Sequence, residues 1–228
     1  MQRRQFTAGV LALAGGGLIV VMPARAGLLS QADASAGVRT ALERGALAAV
    51  GLLGKTDGFL GNPQVRIPLP GFLKDAAKIL KATGQGKRVD ELVTAMNRAA
   101  EAAVPEARDM LVSAAKSISV DDAVKIVRGG DTSVTDYFSR KTRAPLGEKF
   151  LPIVTRATEK VSLADKYNAV AAKALKLGLV KGDDANIQRY VTGKSLDGLY
   201  FMIGQEEKKI RKDPLGTGSE ILKKVFSL

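Results

Sequence analysis

Apolar residues three and four positions apart recur along most of this chain, and that spacing constrains its fold more than any other feature. Val89, Leu92, Val93, Met96, Ala100 and Ala103 form one stripe when wound at the helical period, and Val38, Leu42, Leu47, Val50 and Leu53 form another. No stretch alternates apolar and polar residues over the length of a strand, and the Val-rich stretches are short and mixed with Ala and Lys. The expected fold is therefore all-α, a single bundle-like helical domain with short connections and one long ordered loop between its first two helices.

The punctuation divides that pattern into elements. A first helix is expected over roughly 35–53, ending at Gly54, and a second over Phe72 to Leu80, stopping near Gly84-Gln85-Gly86. The third should run from about Lys87 to Val104, where Pro105 either kinks it or begins the next helix, carrying Ala107, Met110, Leu111 and Ala114. Ser119, with Asp122 three residues on, resembles a capping box ahead of a short helix that Gly129 and Gly130 end. Tyr137 to Val154 continues the apolar pattern in a segment expected to be broken by Pro145 and Pro152. Ser162 can cap a helix that Gly178 terminates. A long final helix spans Ile187 to Ile210, and a short one holds Ile221 to Phe226.

The first residues read as an address. Arg3 and Arg4 precede an apolar run from Phe6 to Met22, and Ala24-Arg25-Ala26 supplies a small-residue cleavage point, the three-part layout of an export signal over residues 1–26. Arg3-Arg4-Gln5-Phe6 resembles the twin-arginine signal, the general secretory route being the alternative. The run is shorter than the ~20 residues that span a bilayer, and Gly15, Gly16 and Gly17 weaken it further, so the mature chain, residues 27–228, is expected in the periplasm without a transmembrane span.

The blocks Lys55-Thr56-Asp57-Gly58-Phe59-Leu60, Asn62-Pro63 and Ile67-Pro68-Leu69-Pro70 resemble the opening of a family of exported bacterial proteins classed only as a domain of unknown function. Further blocks match in order. They include Asn97-Arg98-Ala99-Ala100-Glu101, Val104-Pro105-Glu106-Ala107, Glu148-Lys149-Phe150-Leu151-Pro152, Leu196-Asp197-Gly198-Leu199 and the stretch from Glu206 to Pro214. The resemblance covers nearly the whole mature chain and implies an exported helical protein. It brings no activity, cofactor or catalytic residue.

Chemistry is bounded by what is missing. The chain has no His and no Cys, which removes imidazole bases, thiol nucleophiles and the zinc or haem sites those residues build. Carboxylate, Lys, Tyr and Ser chemistry remains, with a hard-oxygen site as the one metal option, and no metal site is expected from any motif. The formal charge is +12, Arg3, Arg4 and Arg25 of the leader included, which favours anionic partners such as lipid head groups or acidic envelope polymers. With few aromatic side chains and no nucleic-acid motif, nucleic acid is an unfavoured partner.

Three groups of residues are candidates for binding. In the loop, Lys55, Asp57 and Asn62 could line a pocket mouth, while Phe59, Leu60, Ile67 and Leu69 could instead plug the end of the bundle. Asn97, Arg98 and Glu101, one turn apart beside the apolar stripe, form either a polar network on the helix flank or a buried group presented to a phosphate or carboxylate. Glu207 shares a face with Ile203 and Ile210 and is expected half-buried, salt-bridged to Arg211. Lys208, Lys209, Arg211, Lys212, Lys223 and Lys224 make a basic cluster near the C-terminus. The leading expectation is a non-enzymatic periplasmic protein that binds an apolar or amphiphilic anionic ligand, or an envelope protein, through a cleft closed by the 55–70 loop. A carboxylate- or divalent-cation-dependent hydrolase or transferase using Asp57, Glu101 or Glu207, and a structural interaction module, are the alternatives.

Overall fold

Each helix begins and ends where local chemistry can satisfy its terminal backbone groups. In a computed structural model that describes residues 30–160, 162–176, 178 and 182–226, α1 (Gln31–Leu53) starts at Ser30, whose Oγ accepts from Asp33 N at 3.0 Å. Residues 1–26, expected to form an export signal, lie outside the described residues. α1 buries Ala34, Val38, Ala41, Leu42, Ala46, Ala49, Val50 and Leu53, a stripe at steps of three and four. The long loop, 54–70, follows, and a 3₁₀ turn over Gly71–Leu73 leads into α2 (Lys74–Ala82).

Gly84, at φ +80°, reverses the chain into α3 (Gly86–Ala103). Pro105 does not kink α3. It sits in the first turn of a 3₁₀ segment, Val104–Ala107, where its missing N–H costs no bond, and the chain continues as α4 (Arg108–Lys116). Ser119 Oγ accepts from Asp122 N at 3.1 Å and opens α5 (Val120–Val127).

The expected break at Pro145 and Pro152 does not occur: α6 (Ser133–Thr158) runs through both. The reason is position on the cylinder. The two prolines are seven residues apart, hence nearly on one side, and both are exposed, as are Lys141 and Glu148, whose carbonyls lose their helical partners. Water can take those carbonyls, while Leu146, Phe150 and Val154 hold the opposite side in the core.

α7 (Ser162–Lys176) is followed by Gly178 at φ +69°, whose N–H returns to the Leu175 carbonyl. A 3₁₀ turn over Gly182–Ala185 precedes α8 (Ile187–Lys212), capped by Asn186, and α9 (Glu220–Phe226) closes the described chain. α8 is the hub. It packs on α6, α1 and α3, while α3 also lies on α6, and α4, α5 and α9 cover the other side of α1. The fold is all-α, and no helix among the described residues is long and apolar enough to cross a membrane.

Candidate functional site

The loop between α1 and α2 is ordered because side chains of α3 take up its backbone polar groups. Glu101 Oε1 accepts from Phe59 N at 3.0 Å and from Leu60 N at 3.1 Å. Asn97, fully buried, makes a two-way bond to one loop residue: its Oδ1 accepts from Ile67 N at 2.8 Å and its Nδ2 donates to Ile67 O at 2.9 Å. The same Nδ2 donates to Val93 O at 2.8 Å, so the amide orientation is set by its own helix. Among the described residues no strand pairs with this extended segment, so its buried backbone groups need such partners, since an unmatched one costs on the order of 1–3 kcal/mol.

Arg98 links the two ends of this arrangement. Its Nη1 donates to Glu101 Oε2 at 2.6 Å and its Nη2 to Asp57 Oδ1 at 2.8 Å. Glu101 and then Asp57 raise the guanidinium pKa above its already high ordinary value. Asp57 stands at φ +65°, a left-handed conformation that Asp tolerates better than most residues, and the Arg98 contact holds it there. Gly58 is obligatory beside it, because a Cβ would sit 2.6 Å from the Leu52 carbonyl oxygen and closer still to that of Leu53. Asn62 closes a local turn by accepting from Gln64 N at 3.1 Å.

The apolar loop residues fill the bundle. Phe59 and Ile67 are buried, and Leu60 and Leu69 are partly so. The Phe59 ring rests in the notch left by Gly198 of α8, where a Cβ would lie 2.7 Å from its Cε1. Tyr190 of α8 donates its hydroxyl to Pro68 O at 2.9 Å. The blocks around Asp57, Asn97 and Gly198 are thus one structure in space. Of the candidate ligand residues, Asp57, Phe59, Leu60, Asn97, Arg98 and Glu101 meet here: Phe59, Asn97 and Glu101 are buried against the loop backbone and the core, while Asp57 and Arg98 pair with each other at the surface.

Glu207 belongs to a second arrangement. It is 4 % exposed and caps α6, whose own N-cap residue Thr132 makes no side-chain capping bond. Its oxygens accept from Val134 N and Thr135 N, both at 3.2 Å, and from Thr135 Oγ1 at 3.3 Å. Arg211 Nε donates to Glu207 at 3.0 Å, while its Nη2 donates to Ser133 Oγ at 2.8 Å and to Ile126 O at 3.0 Å. Burial pushes the Glu207 carboxyl above the usual carboxylate range, and the Val134 N–H and Arg211 oppose that push. The expected salt bridge is present, and burial is deeper than expected. The surrounding basic cluster is partly neutralised by ion pairs, Lys209 with Glu206, Lys223 with Glu220 and Lys224 with Asp33.

The space for a ligand lies elsewhere, beyond the far end of the loop. Leu69, Leu73, Ala77, Leu80, Val89, Leu92 and Tyr167 line an apolar cavity of about 180 Å³ between the loop end, α2, α3 and α7. Gln85, Arg88 and Lys166 complete the lining, and because all three are exposed while Val89, Leu92 and Tyr167 are buried, the polar groups form the mouth. Phe72 packs edge-on against Tyr167 with ring centroids 5.9 Å apart, which ties the start of α2 to α7. Lys55 lines a different, open groove with Leu47, Pro105 and Arg108. Among the described residues, no three acidic side chains gather in a way that could hold a metal ion.

Periodicity alone did not reveal this pocket. Leu73, Ala77 and Leu80 only mark the expected second helix, and Val89 with Leu92 belong to the stripe of the expected third. The available signal was the width of apolar surface on so short a helix, with lysines on its other side. Residues 28–227 match the family described as protein of unknown function (DUF4197), and the chain belongs to it. No match was found among curated proteins or among solved structures.

Proposed function

We propose that this member of the DUF4197 family is a non-enzymatic periplasmic protein that binds an amphiphilic anion, with the apolar part of the ligand in the α2–α3–α7 pocket and its charge at Arg88 and Lys166. The observation that carries this reading is an apolar cavity whose mouth bears two cations from different helices. Burial of an alkyl or ring group there gains roughly 25 cal/mol per Å² removed from water, and the cations add orientation and preference for negative charge. The positive balance of the chain and the leader ahead of residue 27 agree with an anionic ligand met in the cell envelope. Asp57, Glu101 and Glu207 are committed to backbone N–H groups or arginines, an arrangement that supports positioning roles for them over catalysis.

Native mass spectrometry of the mature protein purified from its own periplasm, followed by organic extraction, tests this. The expected result is a co-purifying lipid-like mass that is lost on Ala77→Phe, which fills the cavity from α2. A bare polypeptide mass, together with no uptake of added amphiphile, would overturn the binding reading. Fractionation of cells tests the address: the mature chain should appear in the periplasm, and Arg3→Lys with Arg4→Lys should hold it in the cytoplasm if the twin-arginine route is used.

A further inference from the structure

We infer that the ligand is a single-chain amphiphile with one anionic head and a tail of about six to eight carbons buried in the pocket; this rests on the binding reading above. The first ground is size. A dry cavity of about 150 Å³ accommodates benzene, so about 180 Å³ takes one short alkyl segment or one ring, and not the paired chains of a membrane phospholipid. Carbons beyond that length must remain in water, where they add nothing to affinity.

The second ground is the division of the lining. Leu69, Leu73, Leu80, Val89 and Leu92 offer no hydrogen bond, so a polar tail would lose its water without replacement. Among the described residues, the charged groups of the lining are Arg88 on α3 and Lys166 on α7, on either side of the chain that would enter. Arg88 has one weak neutral contact, Nη1 to Gln85 Oε1 at 3.4 Å, which leaves its guanidinium fork able to receive a carboxylate or phosphate. The polar lining thus fixes one head at one end, which is the geometry of a fatty carboxylate or an alkyl phosphate.

The third ground is the wall that borders the entry. α2 is short and packs chiefly on α3, and it hangs between Gly71 and the Gly84 turn. Its outer side carries Lys74, Lys78 and the 64 % exposed Ile79. A tail entering there meets one light helix on that side and leaves the packing of α1, α6 and α8 untouched.

Calorimetric titration of the whole mature chain with butanoate, hexanoate, octanoate and dodecanoate, and with octyl β-glucoside and octyl phosphate, tests the inference. Affinity should rise about fourfold per methylene up to octanoate and then stay flat to dodecanoate. Octyl β-glucoside should bind at least tenfold more weakly than octanoate, and Arg88→Gln with Lys166→Gln should abolish that gap without changing the neutral probe. The tighter of octanoate and octyl phosphate assigns the head as carboxylate or phosphate. Affinity that keeps climbing to dodecanoate, or equal affinity for octanoate and octyl β-glucoside, would overturn this inference while leaving the pocket a binding site. Silence toward every probe, the neutral one included, would overturn both. Because the two mouth substitutions lie at exposed positions, the head-group arm stands even where Ala77→Phe fails to fold.

Discussion

Replacing Asn97 by Asp changes one group in the loop anchor and almost no volume. The Asn97 Nδ2 lies 2.9 Å from Ile67 O and 2.8 Å from Val93 O, and the side chain is fully buried. In the variant an oxygen faces those two carbonyls in place of a donor. The carboxyl can restore one of the two bonds only by holding a proton. Keeping it protonated at pH 7 costs up to about 4 kcal/mol, from some three pH units above the ordinary Asp value at 1.36 kcal/mol each. The other lost bond adds about 1 kcal/mol. The expected penalty relative to wild type is therefore up to about 5 kcal/mol at pH 7.

The sign of the pH dependence follows. The folded-state pKa of the new carboxyl is raised above its unfolded value, so its stability is intact below the unfolded value near pH 4 and lost as pH rises toward the folded one. The penalty should shrink to about 1 kcal/mol at pH 4. Urea unfolding of both proteins at pH 4 and pH 7 reads this difference, and thermal unfolding at pH 7 should show a Tm lower by about 10–20 °C for a chain of this size. Equal penalties at the two pH values, or a penalty under about 1 kcal/mol at pH 7, would refute the view that Asn97 holds the loop through Ile67.

Two further outcomes test the remaining contacts. Gly198→Ala should cost about 1–3 kcal/mol, because the new Cβ meets the Phe59 ring, and Phe59→Leu in the same chain should recover part of it, so strictly additive Tm changes would contradict the packing of loop on α8. Glu207→Gln mimics the protonated acid. Since burial raises the Glu207 pKa above 4.5, wild type should lose stability relative to the variant as pH rises through the interval above 4.5, and a wild-type advantage that grows with pH over that interval would contradict the direction.

Helix identity was legible in the sequence because the apolar period is local information. The stripe of α3, the Ser119 cap of α5 and the termination at Gly178 all depend on residues within a turn or two of each other. The pairing of Glu207 with Arg211 was legible for the same reason, being a contact across one helical turn. Pro145 and Pro152 were misleading because their cost depends on which side of α6 faces water, and only the packed bundle sets that.

The sequence by itself determined the helical class, most helix ends, the exclusion of imidazole and thiol chemistry, and the family. Only the tertiary structure decided what the polar residues do. From the sequence, Asn97, Arg98 and Glu101 favour a polar network on the helix flank over a group presented to a ligand; that the network's partners are Phe59, Leu60 and Ile67, some forty and thirty residues away in the chain, is set by the fold. It also decided where a cavity remains, since a void is the difference between surfaces contributed by the loop end, α2, α3 and α7. Periodicity records which side chains leave water; how completely their shapes meet is a property of the assembled helices alone.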